Sequence, residues 1–100
     1  MLEYMADLIQ ADADRVNPAI TVEYDGNARF TFEGRYVRVM ANVYRATPFV
    51  KYSSYDTFNF GEITFANTDY FYKDDTVDAL AELNTIFKLI ADNDGVTVQM

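Results

Sequence analysis

The sequence predicts an α+β domain, in which a four-stranded antiparallel sheet carries an N-terminal and a C-terminal helix on one face. Three observations lead to this fold class. Apolar residues recur at helical spacing near both ends of the chain, they alternate with polar residues through its middle, and glycine-containing turns separate the alternating stretches. The element order is α-β-β-β-β-α, which is typical of a sheet with its helices on one side. We expect one compact domain over residues 1–100.

The first helix is predicted over residues 2–15. Asn17-Pro18 ends it, because the residue before a proline avoids the helical region. Its apolar residues recur three and four positions apart and so share one face; they are Leu2, Met5, Ala6, Ile9, Ala13 and Val16.

Two strands joined by a tight turn follow this helix. Residues 20–24 alternate between apolar and polar side chains, which indicates a half-buried strand. Residues 25–27, Asp-Gly-Asn, predict a hairpin turn, because glycine adopts positive φ without strain. The returning strand covers residues 29–33 and directs Phe30 and Phe32 to the same side.

The third and longest strand is predicted over residues 35–46, after a second turn at Gly34. Pro48 interrupts the pattern, because proline cannot donate a hydrogen bond to a neighbouring strand. The odd-numbered positions suit the buried face, and they are Val37, Val39, Ala41 and Val43.

The fourth strand lies in the most aromatic part of the chain. Phe58 and Phe60 share one parity, whereas Ile63 and Phe65 share the other. Gly61 stands between them and predicts a β-bulge that restores the inward face. Other aromatic residues stand outside this alternation, and we expect them in or beside loops with outward-facing rings. They are Tyr52, Tyr55, Tyr70, Phe71 and Tyr72.

The last helix is predicted from Thr76 to Asp92, with Asp75 as its N-cap and Asp78 in its first turn. Gly95 stops it, and the valines that follow indicate a short edge strand. Its apolar stripe consists of Val77, Leu80, Leu83, Phe87, Ile90 and Ala91. The residues expected to form the core of the domain are Phe30, Phe32, Val39, Phe58, Phe60 and Phe87.

The charge of the chain narrows the classes of partner. Sixteen acids and eight bases give a net charge of −8, and two acidic ends flank a basic middle over residues 29–51. A charge of this sign repels nucleic acid and anionic membranes and speeds encounter with basic proteins. The chain begins with acids and has no apolar run of about 20 residues, so neither a signal peptide nor a membrane span is expected. These features favour a cytoplasmic protein.

Several residue types on which catalysis depends are missing. The chain has no histidine and no cysteine, which removes the commonest general bases, disulfides and thiolate metal sites. Residues 92–95, Asp-Asn-Asp-Gly, are similar to part of a calcium loop, but Ile90 stands where such a loop requires an acid. We expect no enzyme, no cofactor and no metal site. A carboxylate-based enzyme is the least favoured class.

The predicted helix surfaces carry acids at spacings that reduce stability. Like charges four residues apart cost roughly a few tenths of a kcal/mol for each pair, and three such pairs are Glu3–Asp7, Asp74–Asp78 and Asp78–Glu82. In neither helix is an acid followed by a base four residues later. This pattern favours a functional surface over one selected for stability alone, with solubility or salt adaptation as the alternative. The predicted partner-binding residues are Asp69, Tyr70, Tyr72, Asp74, Asp78 and Glu82.

The best prediction of function is a small acidic, non-enzymatic protein that engages a basic protein surface. In size, charge and aromatic content the chain resembles small acidic phage proteins that occupy nucleic-acid sites on host defence enzymes, the anti-restriction and anti-CRISPR inhibitors. This resemblance implies an inhibitor that partly mimics nucleic acid. It includes no sequence motif that assigns a role to a particular residue.

Two alternatives use other surfaces. One face of the third strand could stack and neutralise single-stranded nucleic acid, although balance of charge within the sheet is the favoured explanation of its arginines. The same face, or the last strand, could instead make the protein an assembly module that forms a homodimer, with Ile86 and Leu89 in support. The residues of this secondary face are Tyr36, Arg38, Met40 and Tyr44.

Overall fold

An antiparallel sheet with two helices on one face forms the structure. The computed structural model describes the backbone of residues 2–45, 50–52, 57–74, 76–94 and 96–99, and the side chains of residues 5–43, 65–74 and 76–94. The elements are α1 (Leu2–Val16), β1 (Thr21–Tyr24), β2 (Arg29–Glu33), β3 (Val37–Arg45), β4 (Val50–Tyr52), β5 (Thr57–Tyr72), α2 (Val77–Asn93) and β6 (Val96–Gln99).

The predicted α+β class, an antiparallel sheet with a helix before and after its main strands, is confirmed. The four predicted strands correspond to β1, β2, β3 and β5, and the predicted short edge strand is β6. The described residues add β4, which pairs with Thr57–Asn59 at the start of β5. No helix among the described residues is long and apolar enough to cross a membrane.

The first three strands form two successive hairpins with regular register. Phe30 lies opposite Ala41 and Phe32 lies opposite Val39, so these side chains share the face that the helices cover. Phe30, Phe32 and Val39 are completely buried, as the alternation of the sequence predicts. The expected core residues Phe58 and Phe60 lie outside the side chains that the structure describes. The buried side chains of the sheet and of both helices form a single cluster, so the core is one layer between the sheet and the helices.

β5 pairs with β3, β4 and β6, and its register with its partners shifts at two places along its length. Its register with β6 shifts between Asn59 and Gly61, where the sequence predicts a bulge. A second shift was not predicted: Asn42 of β3 pairs with Ala66, whereas Met40 pairs with Asp69, so β5 has one extra residue here. Asn67 lies in this bulge with φ of 49°, a left-handed conformation that asparagine tolerates better than most residues. Beyond the bulge, even-numbered side chains face the helices.

The buried face of α2 differs from the predicted stripe by a rotation of about one residue, or roughly 100°. Leu83 and Ile90 are buried as expected, but Val77, Leu80 and Phe87 are exposed, so the assignment of Phe87 to the core is wrong. The buried positions of the helix are Ala79, Glu82, Leu83, Ile86, Leu89, Ile90 and Asn93. Since Ile86 and Leu89 are in the core, they cannot support self-association as predicted.

The start of α2 lies one residue later than its predicted cap. Thr76 is the N-cap, and its hydroxyl oxygen accepts a hydrogen bond from the Ala79 N–H at 3.2 Å. Asp78 lies in the first turn, where the exposed N–H groups of the helix favour a negative charge. The predicted cap Asp75 lies outside the described residues.

Candidate functional site

The aromatic residues at the end of β5 lie on an exposed strand and not in a loop as predicted. Residues 67–74 are all exposed. Because the bulge at Asn67 changes the parity of β5, Tyr70 and Tyr72 lie opposite the buried residues Val39 and Val37 and so face the helix side of the sheet. Phe71 faces the open side. The prediction of exposed rings is confirmed for Tyr70, Phe71 and Tyr72, for a different structural reason, whereas the side chains of Tyr52 and Tyr55 lie outside the described residues.

Tyr70 and Tyr72 join side chains of α2 in a continuous apolar surface. The ring centres of Tyr70 and Tyr72 are 5.8 Å apart, and Tyr70 lies 5.8 Å from Phe87; both pairs meet edge to face. Tyr70 is 48% exposed, Tyr72 41% and Phe87 36%. Val77 and Leu80 extend the surface along the helix and line a cleft of about 460 Å³ with Tyr72. These five residues, Tyr70, Tyr72, Val77, Leu80 and Phe87, are termed the aromatic surface.

The backbone beside the aromatic surface forms the outer edge of β5. The Lys73 N–H donates to the Tyr36 carbonyl at 2.7 Å, on the side of β3. Because successive N–H groups of a strand point to opposite sides, the N–H and C=O of Tyr70 and Tyr72 point away from β3. No strand among the described residues pairs with this edge between residues 66 and 72. The aromatic surface therefore adjoins backbone groups that no described strand satisfies.

The pairing of β6 ends before the part of the β5 edge that carries Tyr70 and Tyr72. Val96, the first residue of β6, lies opposite Ile63, and the pairing of the two strands ends there. At the next outward-facing position, the Phe65 N–H donates to the carboxylate of Asp94 at 2.9 Å. A side chain at the end of α2 thus satisfies the backbone where the strand partner stops.

Two of the predicted acids, Asp74 and Asp78, adjoin the aromatic surface in the chain, and a third, Asp69, lies on the opposite face of β5. Asp69 is exposed on the open side of β5, Asp74 follows the strand, and Asp78 lies in the first turn of α2. No ion pair joins any of the three to a base within the described part of the chain. Their neighbour Lys73 pairs with Glu33 and donates to the Gly34 carbonyl at 2.9 Å. The local charge of the surface is therefore negative.

Glu82 is not part of this surface, and its assignment as a partner-binding residue is wrong. It is only 5% exposed. Its carboxylate accepts hydrogen bonds from the backbone N–H groups of Arg35 (2.9 Å), Tyr36 (2.7 Å) and Val37 (2.9 Å). A Cβ atom at Gly34 would overlap this carboxylate, so only glycine allows the approach. The three N–H donors compensate the cost of burying the Glu82 carboxylate. Their hydrogen bonds connect α2 to the turn between β2 and β3.

The open side of the sheet holds only part of the predicted secondary face. Arg38 is exposed and Met40 is partly exposed there, whereas Tyr36 packs against the core. The side chain of Tyr44 lies outside the described residues. Arg38 binds the Glu33 carboxylate at 2.6 Å, and its guanidinium lies 5.8 Å from the ring centre of Phe71. This arginine therefore balances charge within the sheet, in agreement with the favoured explanation.

Glu33 itself is held in its charged form. Burial raises the pKa of Glu33, but hydrogen bonds and charge attraction from Lys73 and Arg38 outweigh burial, so its pKa lies below the ordinary value. A carboxylate with a lowered pKa is a poor proton donor near neutral pH, so this cluster stabilises the sheet and does not provide a general acid.

The other acids of the two helices are distributed among ion pairs and open surface. Asp12 pairs with Arg15 on α1, and Asp92 pairs with Lys88 on α2 at 2.9 Å. No group of three or more histidine, cysteine, aspartate or glutamate residues suited to a metal ion occurs within the residues described.

Comparisons with protein-family models, curated protein sequences and solved structures returned no match for this chain.

Proposed function

We propose that this protein binds a basic region of another protein, without catalysis, through the aromatic surface and the acids Asp69, Asp74 and Asp78. The observation that carries the proposal is the contiguity of five exposed apolar side chains from two elements, on a chain with a net charge of −8. Contiguous apolar surface rimmed by polar groups is typical of interaction sites. Single exposed apolar residues elsewhere, such as Leu8 and Val16 on α1, need no such explanation.

The tyrosines supply the binding energy in this proposal. Tyr70 and Tyr72 each retain close to half of their surface for a partner, and each ring is already oriented by its edge-to-face neighbours. A preoriented ring loses little conformational freedom on binding. Tyrosine is also among the residues that most often dominate interface energetics, where truncation to alanine costs about 2 kcal/mol or more.

The acids supply steering and selectivity. Asp74 and Asp78 lie beside the aromatic surface and have no basic partner within the described chain. Charges at the rim of an interface mainly increase the association rate and exclude partners of like charge, and they contribute less to the lifetime of the complex. A basic partner is therefore favoured over an acidic one before any contact forms.

A nucleic-acid-binding protein is one kind of partner with the required basic surface, and its inhibition by occupation of that surface remains part of the proposal. Mimicry of a nucleic-acid backbone does not. Of the acid row that mimicry requires, Asp74 precedes α2, Glu82 is buried and Asp92 is paired with Lys88, which leaves Asp78. One exposed carboxylate on the helix and one before it reproduce little of a phosphate spacing of about 3.4 Å per strand.

The proposal is tested by capture of proteins from a lysate of the source cells on the immobilised protein, compared between matched variants. The site variant is Tyr70→Ala with Tyr72→Ala. The control is Leu8→Ala with Val16→Ala, which removes exposed apolar side chains from α1. We expect the unmodified protein and the control to retain the same basic protein and the site variant to lose it.

Equal retention by the site variant, or equal loss by the α1 control, would show that the aromatic surface is not the binding site. Retention of only acidic proteins would contradict the role given to Asp74 and Asp78. Each captured protein is then purified, so that direct binding is measured with two defined components.

A further inference from the structure

We propose that the contacting segment of the partner is an extended chain that joins the sheet as an additional strand along the outer edge of β5. This inference rests on the proposed function and specifies how the partner binds and what its sequence contains. Addition of a strand to an open sheet edge obtains affinity from main-chain hydrogen bonds and specificity from alternate side chains.

The backbone geometry of β5 provides the first part of the argument. The N–H and C=O groups of Tyr70 and Tyr72 point away from β3, as established by the Lys73–Tyr36 hydrogen bond. These two residues present four backbone groups to an incoming strand. Phe71 and Asp69 point the other way and pair with Arg38 and Met40 of β3. An added strand would therefore bond to Tyr70 and Tyr72 and leave the amide of Phe71 unchanged.

The space beside this edge provides the second part. The pairing of β6 with β5 ends at Ile63, and the Phe65 N–H donates to the carboxylate of Asp94. From Thr68 to Tyr72 no strand among the described residues pairs with the outer edge, and these residues are exposed. At a rise of about 3.3 Å per residue, residues 68–72 offer an edge of roughly 16 Å. This length accommodates a strand of about five residues, which is of ordinary size.

The two sides of the edge predict the side chains of the added strand. On the helix side, an incoming residue meets Tyr70, Tyr72, Leu80 and Phe87, so it is apolar. On the open side, the neighbouring positions of β5 are Phe71 and Asp69, and the Asp69 carboxylate, which has no basic partner in the described residues, favours a basic residue there. Successive residues of a strand face opposite sides. The segment therefore alternates apolar and basic residues.

Charge selects this occupant over a second copy of the chain. Two copies paired at this edge would bring together two sets of Asp69, Asp74 and Asp78 on molecules that each carry −8. Like charges placed opposite each other across strands are destabilising. A basic segment instead neutralises these acids, and it brings apolar side chains onto the aromatic surface.

Amide hydrogen exchange measured by NMR, with a synthetic peptide as probe, tests strand addition directly. The probe is Lys-Val-Lys-Val-Lys-Val-Lys, and the control is Val-Val-Val-Lys-Lys-Lys-Lys, which has the same composition and charge without alternation. With the alternating peptide in excess, we expect exchange at Tyr70 and Tyr72 to slow by about tenfold or more, because their N–H groups become hydrogen-bonded. Exchange at Phe71 should stay the same, and the block peptide should have little effect.

A pair of variants at one position separates the backbone from the ring. Tyr70→Pro removes the outward N–H without removing a bond to β3, and proline is accepted on an edge strand at such a position. Tyr70→Val keeps the N–H and loses only the ring. We expect peptide binding to weaken about tenfold more in Tyr70→Pro than in Tyr70→Val, corresponding to about 1.4 kcal/mol. If Tyr70→Pro does not fold, the exchange result on the unmodified protein decides.

Each other result has a defined meaning. Loss of peptide binding in the Tyr70→Ala, Tyr72→Ala variant without protection of the Tyr70 and Tyr72 amides would overturn strand addition and leave the proposed function intact. Equal protection by the block peptide would overturn the alternating pattern. Protection that rises with protein concentration alone would identify a second copy as the occupant. The alternating peptide could fail to bind while the lysate partner is still captured through the tyrosines. That result would overturn only the predicted alternation of apolar and basic residues in the partner segment.

Discussion

At the scale of single residues, Glu82 shows how a sequence pattern can indicate the wrong surface. Its spacing from Asp74 and Asp78 places it in an acidic row, yet its carboxylate lies in the core and accepts three backbone hydrogen bonds. The sequence holds one signal of this role, a glycine at position 34 in the turn that approaches α2. That signal cannot be interpreted without the long-range packing of α2 on the turn. A buried acid therefore resembles a surface acid until its donors are known.

The first prediction concerns stability at this residue. Glu82→Ala should reduce the free energy of unfolding by about 2–4 kcal/mol, because it leaves three N–H groups without their acceptor. Glu82→Gln should cost less, since it keeps one acceptor oxygen. Asp78→Ala, on the exposed side of the same helix, should change stability by about 0.5 kcal/mol or less. Urea denaturation measures all three, and a loss under about 1 kcal/mol for Glu82→Ala would contradict the structural role.

Asp25 leads to a prediction about pH. Its carboxylate accepts hydrogen bonds from the N–H groups of Arg29, Asn27 and Ala28, which lower the pKa of Asp25 below its ordinary value of 3.8. Because the folded state favours the charged form, this contribution is complete above the unfolded pKa. It is lost as the pH falls through the lower folded pKa. Asp25→Asn should therefore flatten the dependence of stability on pH below about pH 4.

Denaturation of the Asp25→Asn variant between pH 7 and pH 2.5 checks this expectation. Asp7→Asn is the matched control, since it removes an exposed carboxylate with no hydrogen bond to its side chain among the described residues. An equal change of slope in both variants would show that overall charge, and not the turn, causes the acid sensitivity.

At the scale of elements, the bulge in β5 decides which side chains form the aromatic surface. Since strand side chains alternate, one extra residue moves every later side chain to the opposite face. Asn67 supplies that residue, and Tyr70 and Tyr72 thereby join the side of α2 that carries Leu80 and Phe87. Without the bulge, the tyrosines would lie on the open side, away from the helix.

The conformation of Asn67 is directly testable. Asn67→Val should destabilise the protein by about 1–2 kcal/mol, because a β-branched residue at φ of 49° is strained. Asn67→Gly should cost less, since glycine accepts this conformation. Thermal melting with circular dichroism compares the two. A valine variant as stable as the glycine variant would mean that position 67 does not require a left-handed residue.

Local patterns predicted the elements better than they predicted their relative rotation. Alternation around Phe30 and Phe32 identified the first hairpin and its buried face, and Gly61 marked the first bulge correctly. The second bulge has little sequence signal, because Asn67 is a single polar residue in an aromatic strand. The predicted stripe of α2 differs from the buried face by about one residue, because a glutamate in the pattern indicates an exposed position, whereas Glu82 is buried and accepts three backbone hydrogen bonds.

At the scale of the whole molecule, net charge and local surface act together. The charge of −8 sets the sign of the field around the protein, and the exposed carboxylates of Asp74 and Asp78 add negative charge beside the aromatic surface. Some of the remaining charge is paired internally, as in the ion pairs of Arg38 and Lys73 with Glu33. The candidate site could be predicted in part from the sequence, because its tyrosines and acids are adjacent in the chain. The contributions of Leu80 and Phe87 required the fold.

Salt dependence tests the electrostatic part of this account. Asp74→Lys with Asp78→Lys should lower the association rate with the captured partner by about tenfold at low salt and by much less near 0.5 M, where screening extends over only a few ångströms. Asp7→Lys with Glu23→Lys makes the same change of charge at exposed positions on other elements. Equal effects of the two variants would show that only total charge matters.

The most direct test of the central claim compares binding kinetics with stability in the same tyrosine variants. Tyr70→Ala and Tyr72→Ala are each measured for dissociation from the purified partner and for free energy of unfolding. Since both rings are half exposed, we expect dissociation to accelerate by about thirtyfold, equivalent to about 2 kcal/mol, while stability changes by about 1 kcal/mol or less. A loss of stability that accounts for the whole loss of binding would contradict the claim and show that these rings belong to the core.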